Sequence, residues 1–268
     1  TFSILAGFIQ EAFYIYVISF FYFLFLLKSS KTKEKPKKII VFITSLILPL
    51  FITSFQILPT VHIFLNSSRG QYSISQISNL LLPIKYWATG FASDFFGNPA
   101  TRNYWISGTY IERVMYVGVP ILFFSFIGVK AKLAEKKFFL IFAIFSLLVV
   151  TNLPLMKFLY LIPIPVISTT VPTRELSLFI FSIIVLGAIG INEWEKSKIK
   201  TKIPFIFLAI YALLFTFDII FWRLNVLSYQ NFLVTFRNLI LPSFFAILTV
   251  IIFFFLRTCI CFICHQLS

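Results

Sequence analysis

The chain has 268 residues, 59% of them hydrophobic and only 12% charged, and 37 are phenylalanine. A water-soluble core of this length has no use for so much apolar side chain, so a soluble enzyme is excluded and a polytopic membrane protein is indicated. The net charge of +14 would suit a nucleic-acid binder, but fourteen of the 23 basic residues are lysines gathered in three short loops, at 28–38, 130–137 and 193–202. That placement reads as membrane topology, with membrane lipids rather than nucleic acid as the partner.

A bilayer-crossing helix needs about 20 mostly apolar residues, and segments 8–27, 39–58, 110–129, 138–153, 175–192, 203–222 and 239–256 meet or approach that length. Lysine-rich short loops stay on the cytoplasmic side, which puts Thr1 outside and Ser268 inside the cell membrane. The expected fold class is all-α: a polytopic transmembrane helix bundle of about seven membrane helices, with residues 1–268 forming a single transmembrane domain. The chain opens without Met or signal peptide, directly at the lead-in to a span, and so reads as a fragment of a longer protein.

The polar residues lie at the outer ends of these segments. Gln10 and Glu11 open the first, and Gln56 precedes Pro59 near the end of the second. Residues 59–109 form a long extracytoplasmic loop in which Ile74, Ile77, Leu80, Leu81 and Ile84 recur at helical spacing, predicting an interfacial amphipathic helix. At the mouth of the third segment stand Asp94, Asn98, Arg102, Asn103, Tyr104, Trp105, Tyr110, Glu112 and Arg113, the densest polar and aromatic cluster in the chain. Thr109 with Glu112 has the form of a capping box, predicting a helix that starts near Tyr110 and continues to Val129. Glu112 is then a cap or a ligand-binding carboxylate, and the two roles are compatible.

Residues 154–174 carry Pro154, Pro163, Pro165 and Pro172, which forbid a regular helix across the stretch and predict a folded outer loop. Arg174 follows at a helix start, where the helix dipole disfavours a cation, and Arg113 has the same problem. Two such arginines either form an outward anion site suited to phosphate or snorkel to lipid phosphates. Asp218 lies inside the sixth segment and is a functional candidate by its depth, or is neutralised by Arg223 or Arg237. His62 and His265 are the only histidines, and Cys259, Cys261 and Cys264 read as plain or palmitoylated, so no metal site is expected. No GxGxxG or GxxxxGK[ST] is present, and no cofactor is evident.

Several blocks in order carry a family resemblance. Gly7-Phe8-Ile9-Gln10-Glu11-Ala12-Phe13-Tyr14, Gln56-Ile57-Leu58-Pro59-Thr60 with Asn66-Ser67-Ser68-Arg69, Asn103-Tyr104-Trp105 through Tyr110-Ile111-Glu112 and Tyr116-Val117-Gly118, and Val171-Pro172-Thr173-Arg174 with Leu186-Gly187-Ala188-Ile189-Gly190 resemble the YfhO family of large bacterial membrane proteins. That family is similar to the GT-C class of lipid-linked-sugar glycosyltransferases. Phe8 and Ile9 stand where the family usually has His and Pro, and Thr170 where it often has another Arg. The resemblance implies transfer of a sugar from a polyprenyl-phosphate carrier to a cell-envelope acceptor, with the main general base in an outer loop before Thr1. Gln10, Gln56, Asn103, Tyr104, Glu112 and Arg174 within these blocks are the candidate substrate-binding residues, to which the helix-start position of Arg113 and the depth of Asp218 add two more. Arg174 and Glu112 are expected to face one cavity. A transporter or flippase for envelope lipids, and a non-enzymatic envelope-assembly scaffold, are the rival readings.

Overall fold

The computed structural model describes residues 1–29, 34–67, 72–162, 168–196 and 202–266, with side chains as far as Leu256. Its helices are α1 (Phe2–Leu5), α2 (Ile9–Ser29), α3 (Lys35–Ile52), α4 (Ser54–Leu65), α5 (Ile74–Leu80), α6 (Tyr110–Arg113), α7 (Val119–Gly128), α8 (Glu135–Val150), α9 (Pro154–Leu159), α10 (Leu176–Lys196), α11 (Ile203–Arg223) and α12 (Tyr229–Gln266). Short 3₁₀ turns lie at Ile84–Gly90, Pro99–Thr101 and Pro172–Glu175, the last leading straight into α10. Among the described residues there is no strand, only an isolated bridge between Leu82 and Thr151. The protein is all-helical.

Among the described residues, four helical stretches are long and apolar enough to cross a membrane: Ile9–Ser29, Pro172–Lys196, Ile203–Arg223 and Tyr229–Leu256. A fifth is the pair α3 and α4, which bend by 72° at their junction. The expected straight helix over 39–58 is therefore broken. Pro49 and Pro59 flank the break and each removes a backbone donor, while Thr53 turns both its N–H and its hydroxyl onto the Pro49 carbonyl, at 3.0 and 2.7 Å.

The expected helix over 110–129 is also interrupted. α6 stops after four residues at the extended Val114, Gly118 takes φ +90°, and α7 restarts with Pro120 in its first turn. Thr109 makes no side-chain capping bond, so the capping box anticipated there does not form. One does form at Ser73 and Gln76, where it starts α5 within the predicted amphipathic stretch. α7, with ten residues, and α8, with sixteen, fall short of a full span. In the proline-rich stretch, Pro154 occupies the first turn of α9, where a missing N–H costs nothing; Pro163 and Pro165 lie outside the described residues.

The chain divides into two compact units, Thr1–Leu82 with Phe145–Leu178, and Pro83–Ile144 with Phe179–Ser268. In the first, Ile77 and Leu81 pack with Val149 and Tyr160. Reciprocal backbone bonds reinforce this contact, from Leu82 N–H to Val150 O and from Asn152 N–H to Leu82 O, both 2.8 Å. The second is built on Phe123 of α7, whose ring meets Phe207 of α11 at 5.3 Å and Phe253 of α12 at 5.4 Å between centroids. Val119, Leu122 and Ile127 extend the same contact toward Tyr211, Ala246 and Val250.

α7 also meets α10 backbone to backbone. A Cβ on Gly190 would lie 1.8 Å from the Phe124 carbonyl oxygen, and one on Gly128 2.0 Å from that of Leu186. Hydrophobic attraction between helices vanishes in lipid, so packing across small residues is what brings them together. Gly190→Ala and Gly128→Ala should each force the helices apart and cost about 2 kcal/mol or more. Gly90→Ala, whose Cβ meets only Met115 Cγ at 3.7 Å, is the control, and thermal unfolding of the detergent-solubilised chain followed by tryptophan fluorescence separates the three.

Candidate functional site

Most of the polar side chains singled out from the sequence fall into one cluster in each unit, with Gln56 and Asp218 apart from them. In the first, Gln10 sits in the first turn of α2, where Gln10 and Tyr14 lie four apart on one helix face and are 5% and 3% exposed. The Gln10 amide nitrogen donates to the Tyr14 hydroxyl at 2.6 Å and to the Val171 carbonyl at 3.2 Å. Its oxygen accepts from Arg174 Nη1 at 3.0 Å. The Arg174 guanidinium also stands 5.0 Å over the Phe8 ring, at the position where a histidine was expected from the resemblance. Glu175, next in the chain, lies within hydrogen-bonding reach of the Tyr14 and Tyr160 hydroxyls. Burial, with the Glu175 charge adding to it, pushes the Tyr160 phenol well above the ordinary tyrosine range.

The Gln10 and Arg174 blocks, 164 residues apart, are thus in direct contact. Glu175, Tyr14 and Tyr160 are members that the sequence reading passed over. Tyr14 was readable from its i+4 spacing to Gln10, and Glu175 from its favourable place at a helix start. Tyr160, in a stretch without periodicity, gave no such signal. Gln56 is half-buried in the first turn of α4, and the bonds that tie Gln10 to Arg174 do not pass through it.

In the second unit the loop 84–113 is organised by two phenols. Tyr110 donates to Asp94 Oδ1, which also accepts from Asn98 Nδ2 at 3.1 Å, and Asn238 of α12 donates to the Asp94 backbone carbonyl at 2.6 Å. Tyr86 donates to the Ser107 carbonyl and lies 3.2 Å from the Tyr104 hydroxyl. Arg113 Nη1 donates to Ser107 O at 3.0 Å and to Tyr86 Oη at 3.4 Å, with its guanidinium 5.1 Å from the Tyr86 ring centre. Arg113 is therefore the last residue of a four-residue helix, folded onto its own loop, rather than a cation opening a spanning helix. Asn103 Oδ1 accepts from Asn98 N–H at 2.8 Å and Thr101 Oγ1 at 2.7 Å, a local turn bond. Glu112 stays half-buried in the first turn of α6. Glu112 and Arg113 belong to the second unit and Arg174 to the first.

Burial raises the Tyr104 phenol, and burial with the bond to Asp94 pushes Tyr110 up to about 12. An unfolded tyrosine ionises near pH 10, so between about 10 and 12 the unfolded chain loses protons that folded Tyr110 keeps, and stability falls as pH rises. Melting temperatures measured from pH 9 to 12 should decline in that window, and Tyr110→Phe should decline less steeply.

Asp218 is 2% exposed, and neither carboxylate oxygen has a hydrogen-bond partner. Its expected neutralisation by Arg223 or Arg237 does not occur. Both arginines are exposed, and that of Arg223 lies over Trp222 at 4.7 Å. Asp218 follows Phe207 and Tyr211 along the buried stripe of α11, so its spacing turns it inward while five further residues carry Arg223 outward. Ring contacts of Phe215 with Phe236 and Trp222 with Phe232 set Asp218 level with Thr235, which is fully buried and whose hydroxyl is also without a partner. An unpaired carboxylate in this position destabilises the fold, so Asp218→Asn should leave the melting temperature unchanged or raise it. A fall of several degrees would mean that a cation pairs with Asp218 after all.

No known family, curated protein or solved structure matches the chain. Among the described residues no group of three or more His, Cys, Asp or Glu side chains could hold a metal; the side chains of Cys259, Cys261, Cys264 and His265 lie outside them.

Proposed function

We propose that the chain is part of a membrane glycosyltransferase resembling the GT-C class, one that moves a sugar from a polyprenyl-phosphate carrier to a cell-envelope acceptor on the outer face. The observation that carries this reading is the bond between Arg174 and Gln10, which joins two of the sequence blocks on which the resemblance rests. It puts a guanidinium at the start of a spanning helix, backed by the buried Gln10 amide, which in turn meets the Tyr14 phenol. A guanidinium grips phosphate through two parallel N–H bonds, which an ammonium cannot do. Arg174 holds the carrier phosphate in this reading, and no residue of the chain is assigned as general base.

The topology proposed with it has seven passages, Thr1 outside and Ser268 inside. α7 and α8 are short members of that set, joined by the lysine loop at 130–137. They enter and leave as a pair, so the sides of the termini are the same whether both cross fully or only dip into the bilayer.

A flippase for envelope lipids is the rival reading. Broken helices at mid-membrane favour it, and the 72° break between α3 and α4 is one such feature, whereas Asp218 lies only five residues from the end of α11, toward one face. The test is transfer of labelled sugar from a polyprenyl-phosphate donor by the full-length protein in vesicles. Arg174→Lys should lower transfer by about a hundredfold, the loss of about 2 to 3 kcal/mol expected for a charge-assisted bidentate contact, while size-exclusion behaviour stays that of the parent. Lipid translocation without transfer, or full transfer by Arg174→Lys, overturns the reading.

A further inference from the structure

Lys28 closes α2 and Lys35 opens α3, and between these lysine-bearing ends the two helices leave a cavity of about 460 Å³. Its wall is apolar, made by Phe23, Leu26 and Leu27 of α2 with Val41 and Phe42 of α3. Where the helices close up, Phe23 and Phe42 stack face to face, 3.9 Å apart with planes 5° from parallel. The polar part of the wall is Glu34, Lys37, Lys38 and Ser45. Glu34 is its one acid.

The lysines stand in the first turn of α3, where backbone N–H groups point outward and the dipole is positive. No acidic residue lies in that turn, and Glu34 at the N-cap makes no side-chain capping bond. Positive charge is thus concentrated beside an apolar cleft whose volume is that of a small-molecule site. The complementary ligand has an anionic head and a hydrocarbon body. Basic pockets between helices at the membrane surface suit anionic lipid headgroups.

We propose that the α2–α3 cleft binds one anionic phospholipid, its phosphate at Lys37 and Lys38 and an acyl chain along Phe23, Leu27 and Val41. This does not depend on the glycosyltransferase reading. Lysines at a bilayer surface attract anionic lipid, and two of them give a preference of about tenfold or more over a zwitterionic lipid.

The experiment is native mass spectrometry of the whole chain in detergent, exchanged against phosphatidylglycerol or phosphatidylcholine. Phosphatidylglycerol should be retained about tenfold better or more. The double variant Lys37→Gln/Lys38→Gln should bring the ratio close to one. Ser45→Trp, which fills the cleft from an exposed position, should lower retention of both lipids, and millimolar inorganic phosphate should displace neither. Equal retention by the parent chain, an unchanged ratio in the double variant, unchanged retention in Ser45→Trp, or displacement by inorganic phosphate would each overturn the proposal.

Discussion

The Gln10 carboxamide holds the first unit's polar centre together because an amide both donates and accepts. Its nitrogen reaches Tyr14 and the Val171 carbonyl while its oxygen takes a bond from Arg174. Glutamate in its place would accept only, and lysine would donate only. The start of α2 is thereby tied to the segment that leads into α10. A polar network buried among apolar helices is worth having only when its members are satisfied, and this one is closed further by Glu175 against Tyr14 and Tyr160. The arginine that looked misplaced at a helix start meets the Gln10 oxygen and the Phe8 ring there, which orient its planar group.

The second unit is held by a different device. Its helices approach through absence of side chains, at Gly128 and Gly190, and through a stripe of rings centred on Phe123. Between lipid-facing helices, close backbone approach and interlocked rings supply the specificity that the hydrophobic effect supplies in water. The same helices then present a rim to the loop at 84–113. Tyr211 donates to the Phe91 carbonyl at 3.0 Å and Asn238 to that of Asp94 at 2.6 Å. Loop carbonyls that water would otherwise satisfy are met by helix side chains.

Composition alone identified a helical membrane protein, because nothing else accounts for so many apolar residues. The spans at Ile9–Ser29, Ile203–Arg223 and Tyr229–Leu256 follow from run length. A hydropathy window is blind to backbone conformation, however, so it read 110–129 as one helix across Gly118. The signals were present: Val117-Gly118-Val119-Pro120 joins β-branched residues to a glycine and a proline, a combination that restarts a helix more readily than it continues one. Similarly, Thr109 with Glu112 and Ser73 with Gln76 fit one capping pattern, and only the second forms. The contact between Gln10 and Arg174 was approachable because both residues are polar at the starts of apolar runs. The division into two units was not readable, since each is assembled from segments far apart in the chain.

Asp218 marks where those two kinds of information separate. Counting residues predicts a salt bridge with Arg223, five positions away, because distance along a chain ignores direction. On a helix five residues turn the side chain by about 140°, enough to put the acid in the stripe of Phe207 and Tyr211 and the arginine at the surface. Arg237 fails for the same reason on the facing helix, where Thr235 and Leu239 are buried and Arg237, midway between them, is exposed. The heptad spacing that packs α11 against α12 therefore also strands a carboxylate and a hydroxyl inside the hairpin. Packing has taken precedence over pairing there. That ordering is the reverse of the Gln10 cluster, in which polar bonds between distant segments fix which apolar surfaces meet.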